Sequence, residues 1–198
     1  MMTNWKFTRS LGSFFVLCFL LASCVQSEYT KLVKTELAKG VRHDSILLGI
    51  HFGDSQKIFR DKCFALNRQH LTMEGPGYYV QYFISDSTVH KKPTTIRLLF
   101  QPGFDKNDMI TDMDMKFSYP GWAPWNRQYQ SDSLKVKVIE LLERWYKGNK
   151  FVIAHSEGSQ IPVKVDGNRR ILIYEDEPQT VVVKVQDILH PKFNDTIK

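Results

Sequence analysis

Two periodicities alternate along this chain. From Gly53 onward the apolar residues recur at helical spacing: Ile58, Phe59, Cys63 and Leu66 fall on one face, while Lys57, Arg60, Asp61 and Arg68 point away. Asp54 or Ser55 is placed to cap the first free amides of that helix, and Gly75-Pro76-Gly77 breaks the chain after it. Beyond the break the period falls to two. Tyr79 to Ile84 sets Val80, Tyr82 and Ile84 on one side, and Thr95 to Gln101 alternates Ile96, Leu98 and Phe100 against Thr95, Arg97 and Leu99. Ile110 to Tyr119 is the clearest strand, with Met113, Met115 and Phe117 inward and Asp112, Asp114 and Lys116 outward, as in a sheet covered on one side. Helical spacing returns at Ser131-Asp132-Ser133, which reads as a cap. Leu134, Val138, Leu141, Leu142 and Trp145 then form a stripe, and Gly148 ends the helix just after Lys147. The remainder is β: Phe151 to Ala154, Ile161 to Val165, Arg170 to Tyr174 and Val181 to Asp187, with Asp166-Gly167-Asn168 as a hairpin turn.

The order is helix, three strands, helix, then three or four strands. It predicts an α+β fold in which an antiparallel sheet carries two main helices packed on one face. Because both halves share the order, a duplicated α-β-β-β unit is expected, although no residue-level repeat accompanies it. A single globular domain is placed at 45–198, starting where Ile46-Leu47-Leu48-Gly49-Ile50 reads as a buried strand or turn. Residues 24–44 are mostly polar and read as a tether, within which Tyr29 to Lys39 has the spacing of a short amphipathic helix stopped by Gly40.

The amino terminus has a different pattern. Lys6 and Arg9 precede an apolar run from Leu11 to Ala22, and small residues follow. That is the layout of a secretory signal, and the run falls short of the roughly 20 residues a membrane-spanning helix needs. The exit, Leu21-Ala22-Ser23-Cys24, resembles the bacterial lipobox. The resemblance implies cleavage of residues 1–23, acylation of the Cys24 thiol and attachment to membrane lipid. Of the three cysteines, Cys18 then leaves with the signal and Cys24 carries lipid. Cys63 remains as the only free thiol of the mature chain, so no internal disulfide forms despite an export route that permits one. Its neighbours Phe59 and Leu66 place it among core residues rather than nucleophiles.

Composition narrows the function classes. Hydrophobic residues make up 42% and charged residues 24%, which fits a folded globular chain. The net charge of +6 includes two signal-peptide cations, and no Lys/Arg run exceeds two residues, so the basic stripe a nucleic-acid partner needs is missing. The segment Ile50-His51-Phe52-Gly53-Asp54-Ser55-Gln56-Lys57-Ile58-Phe59, leading to Cys63 and Leu66, resembles the helix opening of small periplasmic lipoproteins. Examples are the SmpA/BamE-like outer-membrane-assembly family and the β-lactamase-inhibitor-like fold. Asp54 stands where that family usually has Met. The whole chain also resembles the uncharacterised lipoproteins common in gut-dwelling Gram-negative bacteria, which implies an address and no activity.

Candidate chemistry is sparse. Asp112 and Asp114 share a strand face with Lys116, which favours a solvated surface over an acid–base pair. Asp105, Asn107 and Asp108 lack the Gly and distal Glu of an EF-hand and read as a polar turn. The six histidines show no zinc spacing, and His155-Ser156-Glu157 places triad residue types side by side, where working geometry is hard to form. No catalytic residue, metal site or cofactor is therefore expected. The exception is an aromatic, proline-broken loop at 119–129 with Tyr119, Trp122, Trp125 and Tyr129. Such rings stack on sugars or anchor protein partners when exposed, and cap the end of a sheet when folded back. The sequence thus points to a non-enzymatic lipoprotein of the cell envelope, anchored in the outer membrane and facing the periplasm. Its domain is expected to bind an envelope protein or support envelope assembly, or alternatively to bind a glycan through the aromatic loop.

Overall fold

The alternation read over Ile110–Ser118 sets the centre of the sheet. A computed structural model describes residues 27–86, 94–156 and 158–193. In chain order these hold α1 (Glu28–Ala38), a hairpin of β1 (Ser45–Leu47) and β2 (Ile50–His51), α2 (Gln56–Arg68), β3 (Thr72–Glu74), β4 (Val80–Asp86), β5 (Thr94–Phe104) and β6 (Ile110–Ser118). Then come α3 (Ser131–Trp145), β7 (Val152–Ser156), β8 (Ser159–Asp166), β9 (Arg169–Glu177) and β10 (Thr180–Asp187), with 3-10 turns at Arg127–Tyr129 and Pro191–Phe193.

Eight strands form one antiparallel sheet in the order β3-β4-β5-β6-β10-β9-β8-β7. Each helix α2 and α3 is followed by a four-strand meander, and the two meanders meet through their last strands, with Met115 opposite Val183. The two helix-and-meander segments share one element order, while α1 and the β1–β2 hairpin stand outside it. The unit is α-β-β-β-β rather than α-β-β-β, because Thr72–Glu74, which pairs with Val80–Tyr82, is too short to show a period in the sequence.

Alternation sorts the two faces as read. Met113, Met115 and Phe117 stack against Leu98 and Phe100 on one side and Val181, Val183 and Val185 on the other, all fully buried. Leu134, Val138, Leu141 and Leu142 of α3 cover this layer, and Phe59 of α2 packs on the same cluster, so both main helices lie on one face. Helix α2 is less buried than its stripe predicts. Ile58 is exposed, and Phe59, Cys63 and Leu66 are only half-buried, because α2 lies beside the short edge strand β3 rather than over the middle of the sheet. Ser55, not Asp54, caps α2: its Oγ accepts from the Ile58 amide, while the Asp54 carboxylate takes the His51 amide and the Lys62 ammonium. Helix α3 begins without a side-chain cap, since Gln130 occupies that position and Ser131 is already helical.

The opposite face carries α1. Tyr29, Leu32 and Val33 pack on Ala154, Ile161, Val163, Val165 and Leu172. The stretch read as a tether is therefore part of the packed domain from Ser27 onward. Its connection to β1 is clasped by the β8–β9 turn. Asn168, wholly buried, accepts the His43 amide and donates to Asp44 and Asp187, and the Gly167 amide donates to Glu36. Gly167 has φ +55, and a Cβ there would lie 2.2 Å from the Val41 carbonyl oxygen, so the clasp admits only glycine.

Candidate functional site

Helix α1 covers only the β7–β9 side of its face. Beyond it the sheet is open, and β9, β10 and β6 present a groove of about 670 Å³. Strand alternation builds the surface. Val182 and Leu172, nearly buried, make an apolar floor, and Tyr174 and Tyr79 stand at its margins. Between them the outward residues of β6 and β10 carry charge. Lys184 sits opposite Asp114 with the ion pair at 3.7 Å, and the Lys116 ammonium lies 5.5 Å from the centre of the Tyr79 ring. Burial pushes the Tyr174 phenol above its ordinary range, against the opposing pull of Arg170. Floor, rings and mixed charge together suit a polypeptide surface, which needs an apolar centre within a polar rim.

Asp112 and Asp114 do share this face, but each is engaged separately. Asp112 takes the Lys192 ammonium at 2.8 Å and the Thr111 hydroxyl at 2.7 Å. They are not a paired acid and base. The Asp105 turn closes on itself: one carboxylate oxygen accepts the Asn107 and Met109 amides, and these backbone bonds hold the carboxyl below its usual range. No cluster of three metal-ligating side chains occurs among the described residues. His155 and Ser156 lie on the edge strand β7, and Glu157 lies outside the described residues, as does His90.

The aromatic loop splits in two. Tyr119 is buried and packs against Tyr129 with ring centres 5.0 Å apart, and the Lys137 ammonium lies 5.1 Å from the Tyr119 ring centre. Trp122 is half-buried, with its indole N–H enclosed, whereas Trp125 is 86% exposed. Three of the four rings thus fold back, and one stands free. Leu21, Ala22, Ser23 and Cys24 lie outside the described residues.

Sequence reasoning missed a buried ionic cluster where α3 ends. Lys164, Asp166 and Arg169 are all at least 95% buried, and Asp166 joins Lys164 at 2.9 Å and Arg169 at 3.5 Å. Lys164 also donates to the Asn149 carbonyl, and Asp166 accepts the Asn149 amide. The Arg169 guanidinium lies 4.4 Å from the centre of the Tyr146 ring, whose buried hydroxyl donates to the Ile46 carbonyl. In the sequence, Lys164 and Asp166 alternate with Val163 and Val165 as solvent-facing residues would; only the covering by Gly148 and Asn149 reverses that reading.

No protein-family model matches the chain, and no curated protein or solved structure matches it either.

Proposed function

We propose that this chain is a lipoprotein, acylated at Cys24 and held at the outer membrane facing the periplasm, whose domain binds an envelope protein without catalysing a reaction. The open face of the sheet supports the binding role. Helices α2 and α3 pack on one side of the sheet, whereas β6, β9 and β10 leave an amphipathic groove uncovered on the other. The anchor rests on the lipobox alone. Among the described residues no helix is long and apolar enough to cross a membrane.

Two measurements test this. Intact mass of the membrane-extracted chain should show residues 1–23 removed and acyl chains added, with both changes lost in Cys24→Ala. A cross-linked pull-down from native membranes should return a reproducible protein that disappears when Tyr79→Ala and Lys184→Glu are combined. Failure to recover any reproducible partner, or recovery unchanged by the double variant, would count against the binding face. The exposure of Trp125 keeps a second reading in play, a glycan stacked on that ring. It requires Trp125→Ala to abolish glycan binding, while the folded-back Trp122 contributes through stability.

A further inference from the structure

Between the β1–β2 hairpin and the carboxy-terminal end of α3 lies a cavity of about 520 Å³, distinct from the open groove. This is the size of a small-molecule site. Its walls are three rings, Tyr82, Trp145 and Tyr146, with Ile46, Leu47 and Leu48 completing an apolar lining. Its ionisable lining is one-sided: His43, Lys147 and Arg169 reach it, and among the described residues no carboxylate does.

Beneath the cavity the buried cluster sets two cations, Lys164 and Arg169, against Asp166, and the Glu36 carboxylate, 5% exposed, closes on Asn149 and the Gly167 amide beside it. Arg169 spends one terminal N–H on the Ser45 carbonyl at 3.0 Å and faces Asp166 at 3.5 Å with the other nitrogen, but its Nε–H is buried without an acceptor. Lys147, at the end of α3, adds a second positive charge at the rim and makes no ion pair among the described residues. Buried charge is costly unless paired, and an unsatisfied buried N–H carries its own penalty. A carboxylate entering beside the exposed Lys147 meets a lining whose fixed charges, Lys147 and Arg169, are both positive, and the rings and aliphatic wall hold an apolar body behind it.

We propose that this cavity binds a small amphipathic carboxylate, an aromatic or short aliphatic acid with its head toward Arg169 and Lys147 and its body against Trp145 and Tyr82. The site is independent of the partner face and of the anchor.

The test is titration of the full chain in nanodiscs with 4-phenylbutyrate and with its neutral amide, read by calorimetry. Variants in identical nanodiscs correct for partition into lipid. Lys147 is exposed and Leu48 is half-exposed, so Lys147→Glu and Leu48→Trp both leave the buried cluster in place. The acid should bind saturably, the amide at least about tenfold more weakly, and Lys147→Glu should weaken the acid by about tenfold. Leu48→Trp, which fills the cavity, should abolish binding. Absence of saturable binding, equal affinity for acid and amide, or acid affinity unchanged in both variants would overturn the assignment.

Discussion

Removing the carboxylate of Asp166 isolates what the buried cluster contributes. In Asp166→Ala the Lys164 ammonium and Arg169 guanidinium stay inside, 1% and 5% exposed, without their shared counter-ion. The Asn149 amide, which donates to Asp166 at 2.8 Å, loses its acceptor as well. Breaking a buried pair from one side costs about 3–5 kcal/mol, since the stranded charge keeps its desolvation penalty. With a urea slope of about 2 kcal/mol/M, the midpoint should fall by about 1.5–2.5 M. Replacing the pair at once, Lys164→Met with Asp166→Leu, removes one charge of each sign and leaves the net charge of the cluster unchanged. The double variant should therefore be more stable than Asp166→Ala although it alters more atoms. Equilibrium urea denaturation followed by far-ultraviolet circular dichroism measures both. A midpoint shift below about 0.5 M for Asp166→Ala, or a double variant less stable than the single, would refute the reasoning that this cluster is dry and held by its pairing.

Two further predictions concern titration. At Glu36 burial raises the carboxyl pKa, but hydrogen bonds from Lys39, Asn149 and the Gly167 amide outweigh it and hold the folded value below the ordinary 4.5. A depressed carboxylate stabilises the fold above its unfolded pKa and loses that contribution as pH falls through the folded value. Acid should therefore loosen the α1 clasp, and Glu36→Gln should flatten the acid limb of a stability-against-pH curve; an unchanged limb would show that the clasp does not depend on this charge. Burial pushes the Cys63 thiol up to about 11 from 9.0, so its thiolate fraction near pH 8 should be about a hundredfold below that of a free cysteine. Alkylation by iodoacetamide, followed by mass of the Cys63 peptide, should be correspondingly slow in the folded chain and accelerate up to pH 11, whereas a rate equal to that of the urea-unfolded chain would contradict the burial argument.

The parts of the fold legible in the sequence are those where one rule acts alone. Strand alternation located β6 and both its faces, because Met113 and Asp114 differ in kind and no loop intervenes. The helical stripe of α3 was equally plain, its Leu134, Val138 and Leu142 all ending fully buried. Helix α2 shows the same pattern, yet its stripe is half-exposed; periodicity gives the direction of a face but not how much sheet lies under it. Residues 24–44 read as a tether holding a short amphipathic helix from Tyr29 to Lys39. The helix is there, but its docking was not legible, because α1 contributes only Tyr29, Leu32 and Val33 to packing and its buried Glu36 looks like any surface acid until Gly167 is seen beneath it. The cavity near α3 was not legible at all. His43, Tyr82, Lys147 and Arg169 come from four separate stretches of chain, and nothing in their spacing anticipates that they meet.

The docking of α1 also fixes a distance. With Cys24 acylated as proposed, three peptide steps separate the lipidated residue from Ser27, the N-cap of a helix already packed on the sheet. Those steps span at most about 10 Å when fully stretched. On that reading the domain would be moored rather than leashed: it would ride against the headgroups, unable to search the depth of the envelope, and would meet its partners at the plane of the bilayer. Tyr29 marks the seaward end of the mooring, since its hydroxyl bonds Arg170, which grips Gln186 at the border of the open groove. Encounter would then be a two-dimensional event, governed by lateral diffusion and surface density more than by concentration in the surrounding fluid.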